Sequence, residues 1–115
     1  MSAKIYHNPR CGKSRDTLKL LEAKGVSIKI IEYLKTPPSF AELEDILQKL
    51  AIDPRDLMRK KEAVYKALDL GNKALDKTAL ITAMINNPIL IERPIVLLNN
   101  KAALGRPPEA VLTIL

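Results

Sequence analysis

The chain has 115 residues, of which 47% are hydrophobic and only 3% aromatic, so we expect a single domain over residues 1–115 with an aliphatic core. The scarcity of aromatic rings disfavours single-stranded nucleic-acid binders, which stack bases on such rings. The net charge of +6 indicates an anionic partner, and charge alone leaves open nucleic acid, an acidic protein surface or a small oxyanion.

The first elements in chain order form a β-α-β unit. A strand is predicted over residues 3–7, a helix over residues 12–24 that stops at Gly25, and an alternating strand over residues 26–34. Such a unit implies a right-handed crossover between two parallel strands. It places Cys11 at the carboxyl end of the first strand, where α/β proteins commonly hold their reactive groups.

The middle of the chain is predicted to be helical. Ser39 and Glu42 form a capping-box pattern that opens a helix with a clear apolar face. Further helical segments are predicted to begin at Asp53, with proline in the first turn, and to span residues 62–68 and 76–86. We interpret their apolar faces as core and not as cofactor sites.

The last third returns to strands. Two short strands, residues 95–98 and 102–104, flank an Asn-Asn turn, and Pro107 with Pro108 opens a final helix. The full order predicts an α/β fold with a four-stranded mixed sheet flanked by helices and a helical insertion in the middle. Thioredoxin-like folds have this order of elements, and they place a reactive thiol at the strand-to-helix junction where Cys11 lies.

Cys11 is the only cysteine, so the chain cannot form an internal disulfide. A disulfide scaffold, a Cys-x-x-Cys centre and a multi-cysteine metal site are excluded, and any redox cycle must use a thiol from another molecule. A single thiol, with no amino-terminal signal sequence and no long apolar run, indicates a reducing, cytoplasmic setting.

The surroundings of Cys11 in the sequence favour a thiolate. Backbone N–H groups and the dipole of a helix stabilise an ionised thiol at the start of that helix. The neighbouring Arg10, Lys13 and Arg15, together with His7, are expected to add positive charge. We therefore interpret Cys11 as a reactive thiol, and the alternative is a small buried apolar side chain.

Four motifs occur in one order along the chain, and they cover nearly its whole length. In one-letter code they are YHNPRCGKSR at residues 6–15, LMRK at 57–60, IERPIV at 91–96 and GRPPE at 105–109. Together with the single cysteine, these motifs closely resemble the glutaredoxin-dependent arsenate reductase family, whose domain is of the ArsC type with a thioredoxin-like fold. The resemblance implies an oxidoreductase that reduces arsenate to arsenite.

The resemblance also implies a catalytic group and a set of partners. Cys11 matches the nucleophile that attacks arsenate, His7 matches a histidine that helps to keep this thiol ionised, and Ser14 matches a hydroxyl residue on the first helical turn. Glutathione is implied as a co-substrate and glutaredoxin as the partner that resolves the mixed disulfide. No metal and no other bound cofactor is implied. We expect a monomer with no nucleic-acid partner and no membrane partner.

An anion site is implied by three arginines. Arg59, Arg93 and Arg106 match the anion-binding residues of the family, and planar guanidinium groups suit a tetrahedral oxyanion because they donate paired hydrogen bonds. Pro94 falls where thioredoxin-like proteins carry a cis proline that faces the thiol, so a cis Arg93–Pro94 bond is expected.

Two other functions stay open. A regulator resembling the Spx-type proteins would share this fold and bind RNA polymerase, but those proteins usually carry a Cys-x-x-Cys switch, and Ser14 occupies the second cysteine position here. A general monothiol, glutathione-dependent oxidoreductase is the other alternative. The three arginines disfavour it, because glutathione exchange alone does not need them.

Overall fold

The computed structural model of the chain describes residues 2–115. The strands are β1 (Ser2–Tyr6), β2 (Ser27–Ile31), β3 (Ile95–Leu98) and β4 (Lys101–Leu104). The α-helices are α1 (Gly12–Ala23), α2 (Phe40–Leu50), α3 (Ala63–Ala67) and α4 (Lys77–Asn86), and 3-10 helices span Pro54–Leu57, Pro88–Leu90 and Pro108–Ile114.

The elements group into two compact units. The first unit contains the residues up to 36 together with residues 93–115, and the second unit contains residues 37–92. All four strands and α1 belong to the first unit, whereas α2, α3 and α4 form the second. The assignment of residues 1–115 to one domain stays a prediction.

The sheet has four strands in the order β2-β1-β3-β4. β1 pairs with β2 in parallel, and β3 pairs with both β1 and β4 in antiparallel orientation. The four-stranded mixed sheet that the sequence predicted is therefore confirmed. Strand β2 ends at Ile31 and not at residue 34, because the Glu32 carbonyl accepts hydrogen bonds from the Lys35 and Thr36 backbone N–H groups at 2.9 and 3.0 Å. These bonds form a turn directly after the strand.

The core of the first unit fixes α1 against the sheet. Ile5 of β1, Leu21 of α1 and Val96 of β3 are completely buried, and Val111 of the last 3-10 helix is buried against the same cluster. Complete burial of each such side chain contributes about 1.5–3 kcal/mol of hydrophobic stabilisation. The packing therefore holds the amino-terminal end of α1, with Cys11, at the carboxyl end of β1.

The second unit is held by packing between helices. The capping box is present as predicted: the Ser39 hydroxyl accepts from the Glu42 N–H at 3.1 Å, and the Ser39 N–H donates to the Glu42 carboxylate at 3.1 Å. Helix α2 then packs against α4. The buried residues of these two helices are Leu43, Ile46, Leu47, Leu80, Ile81 and Met84.

The hairpin of β3 and β4 turns at Asn99 and Asn100, whose φ angles of 54° and 60° are left-handed. Two such residues in a row suit the right-handed twist of a hairpin, and asparagine tolerates this conformation well. The Asn99 side-chain amide donates to the Ile114 carbonyl at 3.1 Å, which ties the turn to the last 3-10 helix. Among the helices in residues 2–115, none is both long enough and apolar enough to cross a membrane.

Candidate active site

Cys11 is the residue that caps the amino-terminal end of α1. Its backbone is extended, its N–H donates to the Asn8 carbonyl at 3.0 Å, and its carbonyl accepts from the Arg15 N–H at 3.0 Å. The first bond closes the turn after β1, and the second begins the helix. The thiol is partly exposed, so a small substrate can reach the sulfur while the first N–H groups of α1 face it.

The pKa of the Cys11 thiol lies below its ordinary value. Burial opposes ionisation, but this effect is exceeded by hydrogen bonds from the Ser14 and Lys13 backbone N–H groups and by the Arg93 guanidinium. Arg93 acts through its positive charge and through a hydrogen bond to the sulfur. The thiol is thus stabilised as the thiolate, which is the form of cysteine that attacks electrophiles.

The source of the positive charge differs from the sequence prediction. The side chains of Arg10, Lys13 and Arg15 are exposed, and Arg15 donates to the Pro9 carbonyl at 3.0 Å. Lys13 acts on the thiol through its backbone N–H, and the guanidinium that acts on it is that of Arg93. Proximity along the chain was misleading, because the side chains of Arg10, Lys13 and Arg15 are exposed while the sheet brings Arg93 to the sulfur.

His7 and Ser14 form a buried pair beside the thiol. The His7 Nδ1 atom lies 2.6 Å from the Ser14 hydroxyl oxygen, which also accepts from the Asn8 backbone N–H at 3.1 Å. His7 is 6% exposed and Ser14 is fully buried. A hydroxyl accepts from one group and donates to another, so Ser14 can satisfy Asn8 and His7 together. The pair joins the end of β1 to the first turn of α1.

The charge state of His7 corrects one expectation. Burial lowers the pKa of His7, the Glu32 carboxylate raises it in part, and Arg15 lowers it further, with the net result below the ordinary 6.5. His7 is therefore mainly neutral near neutral pH and does not add a positive charge to the thiol. The lowered pKa disfavours the cationic His7 that the sequence analysis expected, because a buried imidazole loses the hydration that favours its charged form; the catalytic role of His7 stays a prediction.

The first unit brings two of the three expected arginines together. The Arg106 Nη1 group donates to the Arg93 carbonyl at 3.3 Å, and Arg93 itself hydrogen-bonds to Cys11. Pro94 is buried, and the Arg93–Pro94 peptide bond is cis. The bond between Arg106 and Pro107 is also cis, which the sequence analysis did not anticipate.

Arg59 belongs to the second unit. Its Nη1 group forms an ion pair with the Glu62 carboxylate at 2.7 Å, and its backbone N–H donates to the Leu90 carbonyl at 2.7 Å. The guanidinium is partly exposed. The role of Arg59 in an anion site stays a prediction.

The sequence analysis gave no role to two buried residues, one on α1 and one directly before Arg106. Thr17 and Gly105 are buried and contact each other, and Gly105 directly precedes Arg106. A signal existed for Thr17, because it shares one helical face with Ser14 and Leu21 at spacings of three and four residues. For Gly105 the signal was a small residue directly beside an expected anion-binding arginine.

The chain is similar to several known proteins. The model of the ArsC family matches residues 6–114. An arsenate reductase of Neisseria meningitidis serogroup A is 50% identical to this chain over 97% of both chains. The protein YfgD of Escherichia coli strain K12, described as uncharacterized, is 54% identical over 96% of this chain and 94% of its own length. A solved structure, an arsenate reductase from Vibrio cholerae, is 52% identical, with a TM-score of 0.97 and coverage of 100% of this chain and 98% of that one.

Proposed function

Since the chain belongs to the ArsC family, we propose that it reduces arsenate to arsenite with Cys11 as the nucleophile. The observation that carries this proposal is the partly exposed Cys11 thiol, whose pKa is lowered by helix N–H groups and by Arg93. A thiolate is the attacking species, and a guanidinium beside it attracts an oxyanion. The arsenate reductases among the similar proteins support the same substrate.

In the first step the Cys11 thiolate attacks the arsenic(V) of arsenate. A sulfur–arsenic bond forms, an arsenic–oxygen bond breaks, and the oxygen leaves as water after it takes up a proton. Arg93 and Arg106 hold the oxyanion and stabilise the charge that develops on its oxygens. The hydrogen bond from the Arg106 guanidinium to the Arg93 carbonyl supports this role, because it keeps the Arg106 guanidinium beside the residue that hydrogen-bonds to Cys11.

In the second step glutathione attacks the sulfur of the Cys11–arsenic adduct. A disulfide forms between Cys11 and glutathione, the sulfur–arsenic bond breaks, and arsenic keeps the electron pair and leaves as arsenite. A thiol of glutaredoxin then attacks the disulfide and releases the Cys11 thiolate. The single cysteine supports this route, because the chain holds no second thiol to complete a two-electron reduction.

Arg59 is proposed as the third arginine of the anion site. Its ion pair with Glu62 stabilises the guanidinium before substrate binds, and arsenate then competes with the Glu62 carboxylate for it. His7 and Ser14 are proposed to assist by holding the turn that carries Cys11. The neutral state of His7 supports a role in orientation over a role as a cation.

The direct test is NADPH oxidation coupled through glutathione reductase, with glutathione and glutaredoxin, in the presence and absence of arsenate. We expect oxidation that depends on arsenate and on both thiol partners, and none with Cys11→Ser. Oxidation that proceeds with a small disulfide as substrate, but is not stimulated by arsenate, would contradict the proposal and favour a general monothiol oxidoreductase. Turnover supported by a reductant that is not a thiol would contradict the proposed electron route.

A further inference from the structure

Gly105 is enclosed between helix α1 and the segment that carries Arg93. Its backbone N–H donates to the Pro94 carbonyl at 3.0 Å. A Cβ atom at this position would overlap the Thr17 hydroxyl oxygen and would lie 2.7 Å from Pro94 Cγ and 3.0 Å from Thr17 Cγ2. Carbon atoms do not pack at such distances, so even alanine would force one of these neighbours to move.

The backbone conformation does not explain this glycine. Among the glycines in the described part of the chain, Gly25 alone has a left-handed φ, of 71°. Gly105 is therefore at a position where other residues could adopt the same backbone angles. What they could not avoid is the contact of their Cβ atom with Thr17 and Pro94. Glycine fits this position because it has no Cβ atom.

Thr17 is held in place by its own helix. Its hydroxyl donates to the Lys13 carbonyl at 2.8 Å and lies 3.5 Å from the Gly105 carbonyl. The residue is fully buried, so its methyl and hydroxyl groups form a wall with little freedom to move. Because Thr17 belongs to the helix that Cys11 caps, the wall keeps a constant distance from the thiol.

Arg93 and Arg106 are the sequence neighbours of Pro94 and Gly105. Arg93 directly precedes Pro94, Arg106 directly follows Gly105, and the Arg106 guanidinium donates to the Arg93 carbonyl. Any shift of Gly105 or Pro94 away from α1 therefore moves both arginines relative to Cys11. The contact is built from three separate parts of the sequence, and all of them lie in the first unit.

We propose that Gly105 and Thr17 are positioning residues that set the distance of Arg93 and Arg106 from the Cys11 thiol. Neither residue touches the reacting atoms; both act through the two arginines. The part of the inference that concerns arsenate rests on the proposed function. The part that concerns ionisation of Cys11 does not, because Arg93 affects that ionisation in the free protein.

The test compares Gly105→Ala with Gly71→Ala as a matched control, because a Cβ at Gly71 would meet Tyr65 Oη at an ordinary 3.7 Å. In Gly105→Ala the midpoint of Cys11 alkylation against pH moves upward, and kcat/KM for arsenate falls by about tenfold or more, as a loss of about 1.4 kcal/mol of transition-state stabilisation would produce. Gly71→Ala leaves both quantities at the parent values.

A second substitution separates positioning from general damage. Thr17→Ala in the Gly105→Ala background removes the two Thr17 atoms that the new methyl group overlaps and leaves the close approach to Pro94 Cγ, so volume is nearly conserved and both quantities return part of the way to the parent values. If Gly105→Ala does not fold, Thr17→Ala alone is used, and the loosened contact again moves the alkylation midpoint upward. The alkylation midpoint is a property that a simple loss of stability would not shift in the folded protein.

Two results would overturn the inference. One is a parent-like midpoint together with parent-like arsenate kinetics in Gly105→Ala or, if that variant does not fold, in Thr17→Ala. The other is a Gly105→Ala defect that Thr17→Ala deepens and does not relieve. If the parent protein does not reduce arsenate at all, the proposed function fails, and the alkylation midpoints alone decide the inference.

Discussion

The His7 Nδ1 atom and the Ser14 hydroxyl oxygen lie 2.6 Å apart, and both side chains are buried. The same hydroxyl accepts from the Asn8 backbone N–H. One side chain of α1 thus holds two consecutive residues at the end of β1. The turn that contains Cys11 is fixed at both of its ends by this contact, so the position of the sulfur does not depend on the helix alone.

Replacement of Ser14 by alanine is expected to destabilise the protein. The change leaves the Asn8 N–H and the His7 ring without their shared partner, and an unsatisfied buried polar group costs about 1–3 kcal/mol. Urea unfolding of parent and variant measures the difference. Ser27→Ala, at an exposed position in β2, is the control and should change the free energy of unfolding by less than about 0.5 kcal/mol. If Ser14→Ala and Ser27→Ala lowered the free energy of unfolding equally, the role of the Ser14 hydroxyl would be contradicted.

Protonation of His7 should destabilise the folded protein in weak acid. Folding lowers the pKa of His7, so between the folded pKa and the unfolded value near 6.5 the unfolded chain binds more protons. The stability due to the neutral ring is complete above about pH 6.5 and is lost as pH falls through the folded pKa. We expect the free energy of unfolding to drop more between about pH 7 and pH 5 in the parent than in His7→Gln.

His7 is the only histidine in the chain, so a difference between these two pH profiles has no other imidazole as its source. Glu32 and Arg15 are the charged groups that act on the ring, and both are retained in the variant. Identical profiles, or a parent that gains stability in acid relative to the variant, would show that folding does not lower the pKa of His7.

Arg93 should control the ionisation of Cys11, and Lys13 should not do so through its side chain. Arg93→Gln removes the charge that favours the thiolate, so the midpoint of alkylation against pH moves upward. Lys13→Gln keeps the backbone N–H that faces the sulfur, and the midpoint stays at the parent value. The chain has one thiol, so the alkylation rate reports on Cys11 alone. A parent midpoint at or above about 8.5 would contradict a stabilised thiolate.

Glu62 should weaken arsenate binding at Arg59 if Arg59 belongs to the anion site. The Glu62 carboxylate pairs with the guanidinium at 2.7 Å and therefore competes with an anionic substrate. Glu62→Gln should lower KM for arsenate, whereas Arg59→Ala should reduce kcat/KM by roughly tenfold or more, the effect of one lost charge-assisted hydrogen bond. Asp56→Asn is the control, because it removes a carboxylate from an exposed pair with Lys60. A normal kcat/KM in Arg59→Ala would exclude Arg59 from the site.

The fold could be predicted where local patterns and pairing rules agree. Ser39 and Glu42 marked the start of α2 because the capping box is formed by residues of one turn. The two asparagines marked the hairpin because they tolerate left-handed angles. The end of β2 was predicted too late, because the alternating pattern continues past Ile31, and the turn closed by the Glu32 carbonyl has no such periodic signal.

The candidate site could be predicted only in part. Cys11 was found because its location at a strand-to-helix junction is a local property. The charge that acts on it was assigned to sequence neighbours, whereas Arg93 supplies it from a distant segment that the sheet brings near. Burial, which makes His7 neutral, and the close contact between Thr17 and Gly105 are likewise results of tertiary packing. A single sequence does not display such contacts.

The acidity of Cys11 has a local part and a part that depends on tertiary structure. Its local part needs only the first turn of α1, which supplies the Ser14 and Lys13 N–H groups. Its remaining part needs Arg93, which reaches the thiol once Ile95 has paired with Tyr6 across β3 and β1. That pairing joins residues far apart in the sequence and closes a long loop, whose entropic cost is larger than that of one helical turn. A chain in which β3 is not paired with β1 therefore lacks the Arg93 contribution, and the full acidity of Cys11 is a property of the completed sheet.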